Sequence, residues 1–235
     1  MQNVKPVAVV AGAGPGNGAA LARRFAEDGY LVAVLARQRS TLAPLERELP
    51  GARSYECDVA EPGSVAETFS RVRNDLGEVD VLLYNAGSGI FGDIETITPD
   101  QFEQAWRVNA YGALLCSAQV IPGMKAKGAG GIIFIGATAS RRGGIKSAAF
   151  APAKAAQRSL AESMARKLWP AGIHVAIIVI DGIVDLPRSR AAMPERPRDA
   201  FVDPAGVAEI AFQLNRQQRQ AWSFEVEARP SAETW

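Results

Sequence analysis

Two short stretches carry residue types whose spacing has a chemistry. Residues 10–19, VAGAGPGNGA, follow an apolar β-branched run and open a helical pattern, so that Gly12, Gly16 and Gly18 form a GxxxGxG turn. Glycine at such a turn lets the backbone approach a pyrophosphate, and the helix start supplies free N–H donors and a favourable dipole. The overlapping register Gly14, Gly16 and Ala19 reads GxGxxA and points to the same class of ligand, a dinucleotide. Pro15 and Asn17 lie inside the turn and are counted with it. A tight turn that binds nothing is the alternative reading. The second stretch, FAPAK, places Phe150 four residues before Lys154. On a helix that spacing stacks ring and ammonium on one face, one turn apart. A helix lining an active site is expected to carry a proton donor there, and a phenyl ring is none.

The end of the second apolar run decides which dinucleotide suits the turn. An NAD-binding chain usually offers a carboxylate to the ribose hydroxyls at that point. Here the run ends LARQRS, with Arg37 and Arg39 and no carboxylate. A guanidinium takes a 2′-phosphate through charge-assisted, often bidentate hydrogen bonds, which favours NADP(H) over NAD(H). Solvated loop arginines are the competing reading.

These residues need a scaffold, and the pattern of runs supplies one. VAVVAG, LVAVLA, RSYECDV and VDVLLYNAG alternate with the helical patterns LARRFAEDG, TLAPLEREL and VAETFSRVRNDLG. A long helix is expected from about Pro99 to Lys127, then the strand GIIFIGA, the helix holding Phe150 and Lys154, the strand IHVAIIVI, a helix near AGVAEIAFQLNRQ and a last strand in AWSFEVEA. Alternation of this kind marks βαβ units around a parallel sheet, and strands without polar alternation are those covered on both faces. The expected fold is α/β, a single-domain doubly wound parallel sheet of the Rossmann type with helices on both faces, spanning residues 1–235. The Pro/Arg-rich stretch at about 183–203 is expected to be an irregular, flexible substrate flap.

Composition narrows the partners. With 235 residues and 48% hydrophobic content, the chain is long enough for one large core. Lys and Arg number 26 against 25 Asp and Glu, so no net field attracts nucleic acid or an anionic membrane. Cys57 and Cys116 form neither a CxxC pair nor a zinc spacing, and no metal is expected. The N-terminal run is too short for a signal peptide, and no run spans a bilayer, so a cytoplasmic protein is expected.

The sequence resembles the short-chain dehydrogenase/reductase superfamily over nearly its whole length. The resemblance rests on the GxxxGxG turn, Asp58-Val59, Asn85-Ala86-Gly87, Asn109 in WRVNAYG, and Lys154. It implies that Asp58, with Val59 beside it, contacts the adenine, that Asn85, Ala86 and Gly87 border the cofactor, and that Lys154 binds the nicotinamide ribose. It implies hydride transfer between a nicotinamide and a small organic substrate, with Asn109 supporting a water or the local helix geometry, and assembly as a homodimer or homotetramer. Small residues Ala155, Ala156 and Ala161 would allow close helix approach in such an assembly.

The resemblance also marks a departure. The family's tyrosine and serine positions hold Phe150 and Ala137, and Asp181 stands where the family usually has proline. General acid help is worth ~10²- to 10⁴-fold and an oxyanion donor ~10²- to 10³-fold, so ordinary ketone reduction is doubtful. Thr138 is the candidate substitute for holding a substrate oxygen. Ser140 and Ser147 are weaker candidates, and Tyr84 and Tyr111 read as packing aromatics. His174 opens a buried strand and reads as structural. Arg141, Arg142, Arg188, Arg190, Arg196 and Arg198 cluster around the expected site and motivate an anionic substrate, against the reading of solvated loop charge. Two functions follow: an NADP(H)-dependent oxidoreductase with a modified active site, or a catalytically silent NADP(H)-binding sensor or partner-binding protein.

Overall fold

Alternate residues of each central strand belong to different cores, and this arrangement fixes the architecture. In the computed structural model, which describes residues 5–233, Val7, Val9 and Ala11 face one buried cluster while Ala8 and Val10 face a second. A strand points successive side chains to opposite faces, so a run with no polar position is stable only between two helical layers. The strands are β1 (Val7–Ala11), β2 (Leu31–Ala36), β3 (Arg53–Glu56), β4 (Val81–Tyr84), β5 (Gly130–Ala137), β6 (Ile173–Ile180) and β7 (Glu225–Ala228). They form one parallel sheet in the order β3-β2-β1-β4-β5-β6-β7.

Helices cover both faces as the strand pattern requires. On one face lie α1 (Asn17–Glu27), α2 (Arg39–Glu48) and α8 (Pro204–Arg216), which bury Leu21, Phe25, Leu42 and Phe212. On the other lie α3 (Pro62–Leu76), α5 (Gly112–Lys127) and α6 (Phe150–Leu168), which bury Phe69, Cys116, Met124 and Met164. Ala161 is wholly buried in this second core, so it is not available for the helix contact between subunits expected of it. Ala155 does stay exposed on the opposite face of α6. Both cysteines are free and buried, and desolvation pushes both thiols up in pKa.

Three expectations need revision. The helix expected from Pro99 to Lys127 is α4 (Pro99–Trp106), a π turn at Arg107–Tyr111, and α5. Thr98 and Gln101 start α4 with a reciprocal capping box. The π turn widens the helix, and the Asn109 side chain donates to the Ala105 carbonyl one turn back at 2.9 Å. The last strand is shorter than AWSFEVEA because Arg219–Ala221 form a 3₁₀ turn and Trp222 stacks on His174, with ring centroids 4.7 Å apart. His174 is thereby a packing residue, its ring nitrogens set against the carbonyls of Leu214 and Ser223. The 183–203 segment is also more regular than expected. It contains α7 (Pro187–Ala192) and a 3₁₀ turn at Arg198–Ala200, and a bridge between Val184 and Val202 ties its base. Among the described residues no helix is long and apolar enough to cross a membrane; the reading of the N-terminal run rests partly on residues 1–4, which lie outside them.

Gly112 is the joint between the π turn and α5. A Cβ there would lie 2.5 Å from the Tyr84 hydroxyl and 2.7 Å from the Val59 carbonyl oxygen. Both are held in place, Tyr84 by its hydrogen bond to the Val108 carbonyl and Val59 by the backbone. Gly112→Ala is therefore expected to destabilise the protein by ~2–3 kcal/mol, read as a lower midpoint in urea unfolding at unchanged slope.

Candidate active site

The strand order reverses between β1 and β4, and in open parallel sheets the crevice at such a reversal, beyond the carboxyl ends of the strands, receives ligands. A cleft of about 800 Å³ opens there. The turn after β1 forms one wall. Gly12 has φ 89°, and a Cβ on it would strike the Ala86 backbone at 2.4 Å, so the two turns after β1 and β4 touch only because residue 12 is glycine. Asn85 locks them together by donating from its side chain to the Gly12 carbonyl at 2.8 Å. Gly16, with φ 97°, caps α1, and a Cβ there would meet Leu186 at 2.3 Å, so the 183–203 segment lies directly over the turn.

The predicted cofactor residues divide into those that line the cleft and those that build it. Gly12, Pro15, Asn17, Arg37, Asp58, Val59, Asn85, Ala86, Gly87 and Lys154 all line it. Gly16 and Gly18 lie behind the wall; Gly18 packs on the Gly12 carbonyl, where a Cβ would approach to 2.5 Å. Arg39 does not reach the cleft. It is the first residue of α2, its backbone N–H donates to Glu56, and its guanidinium pairs with Glu46 at 3.5 Å. Arg37 alone remains at the end of β2, exposed and with no ion-pair partner among the described residues. Gln38 and Thr41 join it on the wall. Asp58 is fixed by accepting the Ala60 N–H, while its own N–H donates to Ser64.

At the other end of the cleft stands Lys154, 5% exposed. Its Nζ donates to the Ile135 carbonyl of β5 at 2.8 Å and to the Gln157 side-chain oxygen at 3.1 Å. Gln157, fully buried, turns its amide to the Asn109 carbonyl at 2.9 Å, so one side chain joins the lysine to the π turn. Burial with no carboxylate partner lowers the pKa of Lys154 to about 7. The Asn109 side-chain oxygen is buried without a hydrogen-bond partner, and a Cβ on Gly87 would lie 3.3 Å from it. Asn109 thus shapes the floor below Gly87 and does not itself line the cleft. Gln157 escaped sequence reading, although its place three residues after Lys154 on the same helix face was the available signal.

Two candidates for handling substrate are redirected. The Thr138 hydroxyl donates to Asp181, which also pairs with Arg229, and Thr138 does not line the cleft. The Thr138 hydrogen bond, with Arg229 after it, holds the Asp181 carboxyl below the usual range. Thr138 therefore ties the ends of β5 and β6 together, in place of the expected role of anchoring a substrate oxygen. The arginine cluster also disperses: Arg141 pairs with Glu225 and Glu227, Arg190 with Asp185, and Arg196 with Glu233. Only Arg188 of the six lines the cleft, two residues beyond the Leu186 that covers the glycine turn. The motive for an anionic substrate is correspondingly withdrawn.

A dinucleotide suits this cleft. The glycine cradle leaves no room for a Cβ, and the first turn of α1 carries no acidic residue to oppose an anion.

Comparison with known proteins agrees with this geometry. A family model described as short chain dehydrogenase matches residues 6–195. The chain belongs to the short-chain dehydrogenase family. It is 33% identical over 183 residues to MabA, a 3-oxoacyl-(acyl-carrier-protein) reductase of Mycobacterium tuberculosis, covering 78% of this chain and 71% of that one. A short-chain dehydrogenase from Rhodopseudomonas palustris superposes with a TM-score of 0.82 at 34% identity over 97% of this chain and 99% of that one. A metagenomic short-chain oxidoreductase in complex with NADP superposes with a TM-score of 0.84 at 29% identity over 98% of this chain and 99% of that one. The protein is an oxidoreductase of this family.

The state of Lys154 leaves a mark on stability. In the unfolded chain a lysine holds its proton up to about pH 10.4, whereas folded Lys154 sheds it at about 7. Between those values the unfolded state binds more protons, so stability rises with pH and the cost of burial is fully felt only below pH 7. The cofactor-free protein is expected to gain up to about 4 kcal/mol relative to Lys154→Met between pH 7 and pH 10. Urea unfolding of both proteins across that range checks it; a constant difference would place the lysine proton elsewhere.

Proposed function

We propose that this protein is an NADP(H)-dependent oxidoreductase, acting by hydride transfer on a small organic substrate through a modified active site. The observation that carries the reading is Arg37 at the end of β2, without an ion-pair partner among the described residues, on the wall of a glycine-cradled cleft and with no carboxylate ending the strand. The NADP complex of the metagenomic relative supports the same choice.

In this reading the bound nicotinamide donates or accepts the hydride. Gly12, Pro15 and Asn17, with the α1 N-terminus, hold the pyrophosphate, and Arg188 on the covering segment adds a positive charge beside them. Arg37 takes the 2′-phosphate, Asp58 and Val59 border the adenine, and Asn85, Ala86 and Gly87 form the floor. Lys154 positions the nicotinamide ribose, held at its angle by Ile135 and Gln157, with Asn109 supporting Gln157 from the π turn. The 183–203 segment opens at the Val184 to Val202 bridge to admit ligand, as part of a single domain. Phe102, Trp106 and Leu114, exposed along α4 and α5, are the surface for a second copy in a homodimer or homotetramer, and the protein is placed in the cytoplasm.

Phe150 and Ala137 favour a second reading, an NADP(H)-binding sensor or partner-binding protein without turnover. Single-turnover mixing of the NADPH-loaded protein with carbonyl and imine substrates separates the two: any substrate-dependent hydride transfer that Lys154→Ala abolishes removes the silent reading.

Fluorescence titration tests the cofactor assignment. NADPH is expected to bind at least ~10-fold tighter than NADH, and Arg37→Ala to weaken NADPH by ~10- to 100-fold while leaving NADH within about twofold, the scale of hydrogen bonds to a charged group. Equal affinities in the unaltered protein would reassign Arg37 to solvent.

A further inference from the structure

The reacting end of the cleft is an apolar chamber with two aromatic rings. Phe91 and Phe150 stand with centroids 5.1 Å apart at 51°, and Ile90, Ala137 and Val184 add apolar lining. Phe91 is 65% exposed and lines the cleft. Lys154 Nζ lies 6.0 Å from the Phe150 centroid. In its neutral form the amine has two N–H bonds, and the Ile135 carbonyl and Gln157 take both.

Among the described residues no tyrosine or histidine lines the cleft, and its one carboxylate, Asp58, lies toward the Arg37 end. Ser140 is buried, accepts the Ala137 N–H and does not line the cleft. Ser147 exchanges hydrogen bonds with the backbone of Gly144. Thr138 donates to Asp181, and Tyr84 donates to the Val108 carbonyl. Ser88 and Ser189 do line the cleft, but a serine hydroxyl is too weak an acid to protonate a product at neutral pH by itself.

The chamber therefore selects by the charge that a hydride creates. At a ketone, hydride leaves an alkoxide; at an enone, it leaves an enolate. Either one is a new anion in an apolar wall without a donor, which is strongly unfavourable. At an iminium ion, hydride removes a charge. The C4–H bond of NADPH breaks and a C–H bond forms at the iminium carbon. The C=N π pair becomes a nitrogen lone pair, and the positive charge ends on the oxidised nicotinamide. Atoms, electrons and charge balance with no proton. Before transfer, a cation against the faces of Phe91 and Phe150 is attracted by the ring quadrupoles.

Resting on the NADP(H) reading above, we propose that the substrate class is the iminium ion, a cation held by the Phe91 and Phe150 rings and reduced by NADPH to an amine without a protein acid. Burial lowers the pKa of Lys154 to about 7, so at pH 8 most of the amine is uncharged and does not oppose that cation.

The test uses the full-length protein at pH 8 with three probes. N-methyl-3,4-dihydroisoquinolinium is the iminium and 1-tetralone its ketone counterpart. N,N-dimethyl-tetrahydroisoquinolinium is an inert cation, compared by calorimetry with 2,2-dimethyltetralin as its neutral analogue. The iminium is expected to be reduced at least ~100-fold faster than the ketone, the lower range of what a missing acid costs, with deuterium carried from C4-labelled NADPH to the product carbon. The inert cation is expected to bind roughly tenfold tighter than the neutral analogue, and Phe150→Leu to remove most of that preference. Reduction of the ketone as fast as the iminium, an iminium left untouched by the NADPH-loaded protein, or equal binding of cation and neutral analogue would each overturn the inference while leaving the NADP(H) reading intact. Failure to bind NADPH would overturn that reading and this inference with it.

Discussion

The desolvation of one lysine organises the catalytic half of this protein. Lys154 lies inside the fold with no carboxylate to compensate it, and a charge in such a place is costly. The surroundings respond by fixing the amine: the β5 backbone accepts one hydrogen, Gln157 accepts another, and Gln157 in turn holds the π turn through the Asn109 carbonyl. The position of the lysine is thereby tied to the widened helix that carries Asn109 and to the Gly112 joint below it. Disturbing any of these moves the others, since they are packed in direct contact.

The end of the cleft proposed for the adenosine obeys a different constraint. Two glycine-bearing turns meet so closely at Gly12 and Ala86 that their contact excludes side chains, and the resulting surface is backbone and positive dipole. The neighbouring guanidiniums are sorted by pairing. Arg39, Arg141, Arg190 and Arg196 are occupied by carboxylates, whereas Arg37 faces the cleft without one. The cofactor assignment depends on that difference, since an arginine already holding a carboxylate has little to offer a phosphate.

Much of this was legible in the sequence, for physical reasons that can be named. The strands β1, β4, β5 and β6 show no polar alternation, His174 in β6 being their one strongly polar side chain, a pattern that a sheet buried on both faces permits, and the glycine turn needs its residue type at fixed spacing. Helical spacing put Phe150 and Lys154 on one face, and the resemblance to the short-chain dehydrogenase/reductase superfamily marked them as site positions. What escaped depended on long-range partners. The capture of Thr138 by Asp181, across 43 residues, has no local signature. The same holds for the pairing of Arg141 with the edge of β7. The π turn follows from how Asn109 packs, and propensities do not encode it. Gln157 looked like one polar residue on a helix until the fold buried it.

The central claim is that Lys154 works as a neutral amine in a chamber without an acid. Carbon NMR of protein labelled at lysine Cε, with Lys154 assigned by loss of its signal in Lys154→Met, reads that protonation directly. The account predicts one lysine signal titrating near pH 7 while the others titrate near pH 10. A Lys154 signal that titrates near pH 10 with the rest would mean that the amine stays charged, and would contradict the account.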